Sequence, residues 1–345
     1  MSHLLVFNLA TDADDPILGF TTRWLNELAK HYDTLDVVTM RAGRLAVAEN
    51  VAVHSVGKER GLSEPARALR FYAILTGLLR RKRYERCFAH MMPLFAVMGA
   101  PLLKAARVPI LLWYTHRQSH RILQLAERAA WQVVTASEDS FPFPTPKLHV
   151  VGHGIDTALY APAEAPAPEP FQVMQVARLS PIKHQATLLA ATVDLPLRVM
   201  LVGDALTAQD ADYAAELRRQ AADPARCFPA QLTGALSPEQ IIALAHRSHV
   251  AVNLSPPGLF DKAALEAMAC GLPTVVASDG FNALLGAHQA ALRVAHPADV
   301  DGLRARLRDL MTLTTEQRQQ IGADLRAGVV AQHSLPALVA RLAAM

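Results

Sequence analysis

Short apolar blocks recur along this chain, separated by polar, turn-rich stretches. Residues 4–9, 35–40, 87–90, 108–114, 131–137 and 148–151 are each too short for a buried helix and read as core strands. Between the first two lie a polar loop, 11–19, and a segment of helical period, 21–30, with Trp24, Leu25 and Leu28 on one side. That is a βαβ unit, the opening of a doubly wound parallel sheet. The second half repeats the alternation, with strands over 171–176, 197–202 and 274–277. Helices are expected over 211–222, 262–269, 303–310, 315–330 and 333–345. From 232 to 256 strand, helix and strand follow one another, with Ser237 as the helix cap. The halves meet at YAPAEAPAPEP, residues 160–170, whose prolines and lack of period predict a linker. We therefore expect an α/β chain with domains over 1–160 and 171–328, a linker over 161–170 and a terminal helix over 329–345.

The most sharply punctuated stretch is 255–276, SPPGLFDKAALEAMACGLPTVV. Pro256, Pro257 and Gly258 predict a turn, Asp261 an N-cap, 262–269 a short helix, Gly271 its C′ residue and Pro273 a stop. Glu266 stands alone among Ala263, Ala264, Leu265, Ala267 and Met268, so its carboxylate either meets solvent or receives donors from a ligand. Lys262 sits where a cation opposes the helix macrodipole. An anion held there would resolve the conflict; a solvated lysine is the plainer reading.

With 345 residues and 51% hydrophobic content the chain has material for two cores. Its net charge of +3 is uneven: residues 1–160 carry 19 Lys and Arg against 14 Asp and Glu, the remainder 15 against 17. The basic excess centres on 58–86, where Lys58, Arg60, Arg67, Arg70, Arg80, Arg81, Lys82, Arg83 and Arg86 interleave with apolar residues. Such a segment either lies on an anionic membrane face or is an ordinary helix with solvated charges. No recognised motif or set of stacking aromatics accompanies it, which argues against nucleic acid. No apolar run approaches the roughly 18 to 20 residues that span a bilayer, and the start lacks the basic and apolar regions of a signal peptide. Three cysteines without metal or redox spacing point to a reducing, cytoplasmic setting.

No GxGxxG follows the first strand, which disfavours a nicotinamide or flavin site. Asp12, Asp14 and Asp15 lack the spacing of a calcium loop. Two strands lead to His90 and His116, at the ends that face the ligand crevice of an open α/β sheet. His120 lies four residues past His116, but no third ligand completes a metal set. Arg178 and Lys183, in ARLSPIKH after a buried strand, offer a planar fork and a mobile point charge suited to a diphosphate.

Three motifs, LEAMACGLPTVVAS at 265–278, ARLSPIKH at 177–184 and VGHGID at 151–156, resemble those of the family 4 glycosyltransferases of the GT-B fold. The resemblance implies two Rossmann-like domains facing a cleft, with the terminal helix crossing back to the first. It implies hexosyl transfer, with retention of configuration, from a nucleotide-sugar donor, UDP- or GDP-linked. The acceptor would be a hydroxyl of a glycan, glycolipid or small molecule, and neither cofactor nor metal would be required. By the same resemblance Arg178 and Lys183 neutralise the departing diphosphate, Glu266 accepts the ribose hydroxyls and His116 lies beside the sugar. Gly19 would lie near the phosphates, Gly234 and Leu236 by the base, and Gly258, Leu259 and Phe260 would offer backbone N–H groups. The family's first glutamate falls at Gly258, and we expect Asp261 and Lys262 to take over its duty. A catalytically silent nucleotide-sugar-binding protein, and another GT-B enzyme such as an epimerase or phosphorylase, stay open as alternatives. The expected location is cytoplasmic, with the inner membrane face as an addition through residues 58–86.

Overall fold

The computed structural model describes residues 2–15 and 18–345; Met1 and, in the loop after the first strand, Pro16 and Ile17 lie outside the described residues. The chain forms two compact units, residues 1–154 with 335–345, and residues 155–334.

The first unit runs β1 (His3–Thr11), α1 (Phe20–Leu28), β2 (Thr34–Ala42), β3 (Val51–Ser55), α2 (Glu64–Arg81), β4 (Arg86–His90), α3 (Pro93–Ala105), β5 (Ile110–Trp113), α4 (Arg121–Ala129), β6 (Gln132–Thr135) and β7 (Leu148–Val150). The second runs β8 (Gln172–Val176), α5 (Gln185–Ala191), β9 (Arg198–Val202), α6 (Ala208–Ala221), β10 (Gln231–Leu232), α7 (Pro238–Ala245), β11 (Val250–Asn253), α8 (Lys262–Ala269) and β12 (Thr274–Val276). It continues through α9 (Asn282–Leu285), α10 (Gln289–Leu292), α11 (Val300–Thr312) and α12 (Thr315–His333). The last helix, α13 (Leu335–Ala344), belongs to the first unit.

Both sheets are parallel throughout, ordered β3-β2-β1-β4-β5-β6-β7 and β10-β9-β8-β11-β12. Alternate side chains of β1 feed opposite cores, as a strand covered on both faces requires. Leu4 and Val6 meet Trp24 and Leu28 of α1 and Leu338 of α13; Leu5 and Phe7 meet Phe71, Phe95 and Leu123 of α2, α3 and α4.

Several elements escape the sequence reading, among them the short helices α5, α9 and α10 and also α3, α4 and β3. The segment PLFAVMGAPLLKA of α3 is apolar on nearly every side and shows no period; α4 buries only Leu123 and Ala126; β3 is five residues with one buried position. The expected linker is also displaced. Residues 161–170 lie inside the second unit, where the Ala161 carbonyl accepts from His246 Nε2 at 2.8 Å and the Tyr160 carbonyl from Arg326 Nη1 at 2.8 Å. The chain enters and leaves this unit side by side, at the Ile155–Ser334 bridge.

Candidate functional site

In the second sheet the chain winds outward from β8 through β9 and β10, then returns to pair β11 beside β8. The carboxyl ends of β8 and β11 are thus the switch point at which open α/β sheets hold ligands. Lys183, in the tight turn Pro181–Lys183 after β8, and Asp261, just before α8, meet across it. The Lys183 ammonium lies 2.6 Å from Asp261 Oδ2 and 3.0 Å from Ser255 Oγ. Asp261 also accepts from Ser255 Oγ and, at 3.1 Å, from Asn253 Nδ2. Burial alone would raise the Asp261 carboxyl, but the Lys183 charge and the donors from Lys183, Ser255 and Asn253 outweigh it and hold it below the usual range. Asp261 occupies the N-cap position of α8, yet its carboxylate bonds none of the helix amides; only its backbone carbonyl accepts, from Ala264 N at 3.2 Å. A cation and two further donors across the switch point claim the carboxylate instead. Arg178 opens the same loop and is exposed, its backbone carbonyl held by Gln185 Nε2 at 2.8 Å.

The helix signals hold: α8 spans Lys262–Ala269, and Gly271 follows at φ +77°. Its two charged residues differ from expectation. Lys262 meets Glu266 at 3.0 Å, one turn along, so the acid that stood alone in sequence partners the cation at odds with the dipole. The Glu266 side chain is only 12% exposed. The loop before the helix is internally bonded: Gly258 N donates to Asp279 Oδ1 at 2.9 Å and Leu259 N to the Pro256 carbonyl at 3.2 Å. Phe260 is a core residue against Phe281 and His333. Gly258 adopts φ +76°, a conformation that a glutamate would enter only with strain.

Gly234 lies at φ +75° beside the carboxyl end of β9, bridged to Gly203, and Asp204 Oδ2 accepts from Ala235 N at 3.0 Å. Leu236, half-buried, follows. Gly19 and His116 belong to the first unit. Gly19 precedes α1, where a Cβ would come within 2.7 Å of the Asp15 carbonyl. His116 is exposed in the loop after β5, its Nδ1 accepting from Gln118 N at 3.1 Å. His120 caps α4 through Leu123 N rather than pairing on a metal. His90 does not face a crevice: it is buried against Trp24, Phe88 and Trp113, and burial lowers it to about 4. Among the described residues no three His, Cys, Asp or Glu side chains gather as a metal set.

Residues 158–326 match the family model described as glycosyl transferases group 1. No curated protein matches the chain. Among solved structures, HepE from Anabaena in complex with UDP-glucose is 20% identical, with 100% of this chain and 99% of that one covered at TM-score 0.73. A glycosyltransferase from Rickettsia africae is 14% identical over 99% and 97% at 0.74. Sucrose-phosphate synthase from Thermosynechococcus elongatus is 15% identical over 99% and 97% at 0.70. The fold is GT-B.

Within this GT-B chain the residues that sequence reasoning passed over are Asn253, Ser255 and Asp279. Asn253 ends a buried strand and Ser255 begins a turn, so neither carried a signal beyond its place at a strand's carboxyl end. Asp279 lies 21 residues beyond Gly258, and only the folded backbone joins them. A cavity of about 670 Å³ also lies in this unit, walled by Pro162, Ala167, Leu272 and Ala327. It sits toward the amino ends of β8, β11 and β12 and contains none of the candidate residues.

Proposed function

We propose that this chain transfers a hexosyl unit, with retention of configuration, from a nucleoside-diphosphate sugar to a hydroxyl of a glycan, glycolipid or small molecule. The observation that carries the proposal is the Lys183 ammonium fixed at the switch point of the second sheet, inside the segment that matches the group 1 model. HepE, alike in fold, is described in complex with UDP-glucose, which favours UDP as the nucleotide.

As the bond to the sugar breaks, negative charge gathers on the leaving diphosphate. Two of the three Lys183 donors are engaged by Ser255 and Asp261, which aim the ammonium and leave one donor for a phosphate oxygen. Arg178, exposed and forked, binds a second oxygen. Glu266 takes the ribose hydroxyls as donors and releases Lys262 toward phosphate. Lys183, Arg178 and Lys262 together offset the charge on the leaving group, so turnover is expected to persist in EDTA.

The test is a thermal-shift panel of UDP, GDP, ADP and their sugar conjugates on wild type and Glu266→Ala. A ligand at about 100 times its Kd adds about 2.7 kcal/mol to stability, a shift of several degrees. UDP is expected to stabilise the wild type and not the variant; no shift from any nucleotide at millimolar concentration would sink the reading. One observation favours a second reading: the left-handed backbone at Gly258 removes the family's first glutamate, as a silent nucleotide-sugar-binding protein would. A donor-dependent thermal shift without nucleoside diphosphate release, in the presence of candidate acceptors, would select it.

A further inference from the structure

The first unit holds a groove of about 640 Å³ where β5 and β6 begin, lined among others by Pro101, Lys104, Arg107, Arg128 and Trp131. No acid lines it. Lys104, Arg107 and Arg128 are exposed, and their side chains make no hydrogen bond or ion pair among the described residues. Trp131 stands 47% exposed beside them. Leu125, one turn before Arg128 on α4, is 47% exposed. The helix dipole accounts for Lys104 and Arg128, which lie in the last turns of α3 and α4. It does not account for Arg107, nor for an indole left in water.

The basic stretch 58–86 presents a different picture. Lys82 is bound to Asp36 at 2.8 Å and Arg70 Nε to the Ser55 carbonyl at 2.9 Å. The exposed apolar residues of α2, Leu69 and Tyr72, lie in its first half, whereas Arg80 and Arg81, whose side chains make no hydrogen bond or ion pair among the described residues, close it. At about 1.5 Å per residue, Leu69 and Arg80 are roughly 16 Å apart. The groove, by contrast, brings Lys104, Arg107 and Arg128 together with the exposed Trp131, and Leu125 lies one turn before Arg128 on α4. Arg80, Arg81 and Arg83 stand at the same end of the sheet, just before β4, and extend its basic rim.

We propose that the amino end of the first sheet, centred on Lys104, Arg107, Arg128 and Trp131, docks on a lipid bilayer rich in anionic phospholipid. Clustered cations meet the phosphate headgroups, and the indole with Leu125 enters the interface, where amphipathic rings and aliphatic side chains partition. A small soluble anion would use the cations and leave the apolar side chains in water, which is why the bilayer is the occupant. The inference stands apart from the donor-site reading, and its readouts need no sugar transfer.

The test uses the full chain with vesicles of phosphatidylcholine alone or with 30% phosphatidylglycerol at low salt. Trp24 and Trp113 are 6% and 3% exposed, so a blue shift of tryptophan emission reports Trp131. We expect cosedimentation and a blue shift with anionic vesicles only. Lys104→Gln/Arg107→Gln/Arg128→Gln is expected to weaken binding about a hundredfold, at roughly fivefold per cation. The same charge loss in the second unit, Arg198→Gln/Arg218→Gln/Arg247→Gln, is expected to leave binding within twofold. Circular dichroism confirms that each variant is folded. No binding by wild type, equal loss in both triple variants, or an equal blue shift with inorganic phosphate or a short DNA duplex overturns the proposal.

Discussion

At the residue scale, Asp261 shows how position and partner diverge. Its place before α8 suits capping, but a charged donor outcompetes a neutral amide for one carboxylate. Removing the charge leaves the half-buried Lys183 ammonium underpaired, and Asp261→Asn is expected to cost about 2 kcal/mol of stability. Urea titrations of Asp261→Asn, Lys183→Met and the double variant check this. The double should cost less than the sum, and strictly additive values would show that the two groups do not stabilise one another. Gly258 makes the complementary point. A residue with no side chain cannot be placed by its chemistry, yet its φ of +76° shows that the backbone here is set for glycine.

At the element scale, β4 delivers His90 not to a crevice but into an aromatic cluster with Trp24, Phe88 and Trp113. Burial lowers the imidazole from 6.5 to about 4. Between those values the unfolded chain binds a proton that the native state refuses. The stability is therefore complete above pH 6.5 and falls as pH drops, by about 3 kcal/mol near pH 4. A His90→Phe variant is expected to lose this part of the acid limb, read as a smaller difference in urea midpoint between pH 7 and pH 4.5. An unchanged difference would remove His90 as its source. The helices that were legible carry end signals, such as the Ser237–Gln240 capping box of α7 and Gly271 after α8. Among the helices that were not, α3 is nearly uniformly apolar, and periodicity has no meaning where both faces are oily.

At the scale of the whole molecule, the first unit is completed by the last eleven residues of the chain. Leu335, Leu338, Val339 and Leu342 of α13 are buried in the core that holds Trp24 and Leu4. Leu338→Ala is expected to destabilise the first unit by about 3 kcal/mol. Calorimetry checks the assignment: the transition of the first unit moves down while that of the second stays, and the reverse would contradict the packing. The terminal helix therefore acts at long range in sequence, which local pattern cannot anticipate.

The sequence by itself determined what local physics controls. Alternating blocks of strand and helix specified two parallel α/β sheets, and Pro, Gly and capping residues marked the turn, helix and stop over 255–276. It also placed Arg178 and Lys183 after a buried strand, because strand ends are readable one strand at a time. What each charged group touches was decided by tertiary structure. Asp261 faces Lys183 across 78 residues, Gly258 is held by Asp279, and Lys104, Arg107 and Arg128 line one groove from two helices and a loop. Propensity and period act over a few residues, whereas strand order and the packing of helices on the sheet bring distant side chains together, and only the folded chain contains that information.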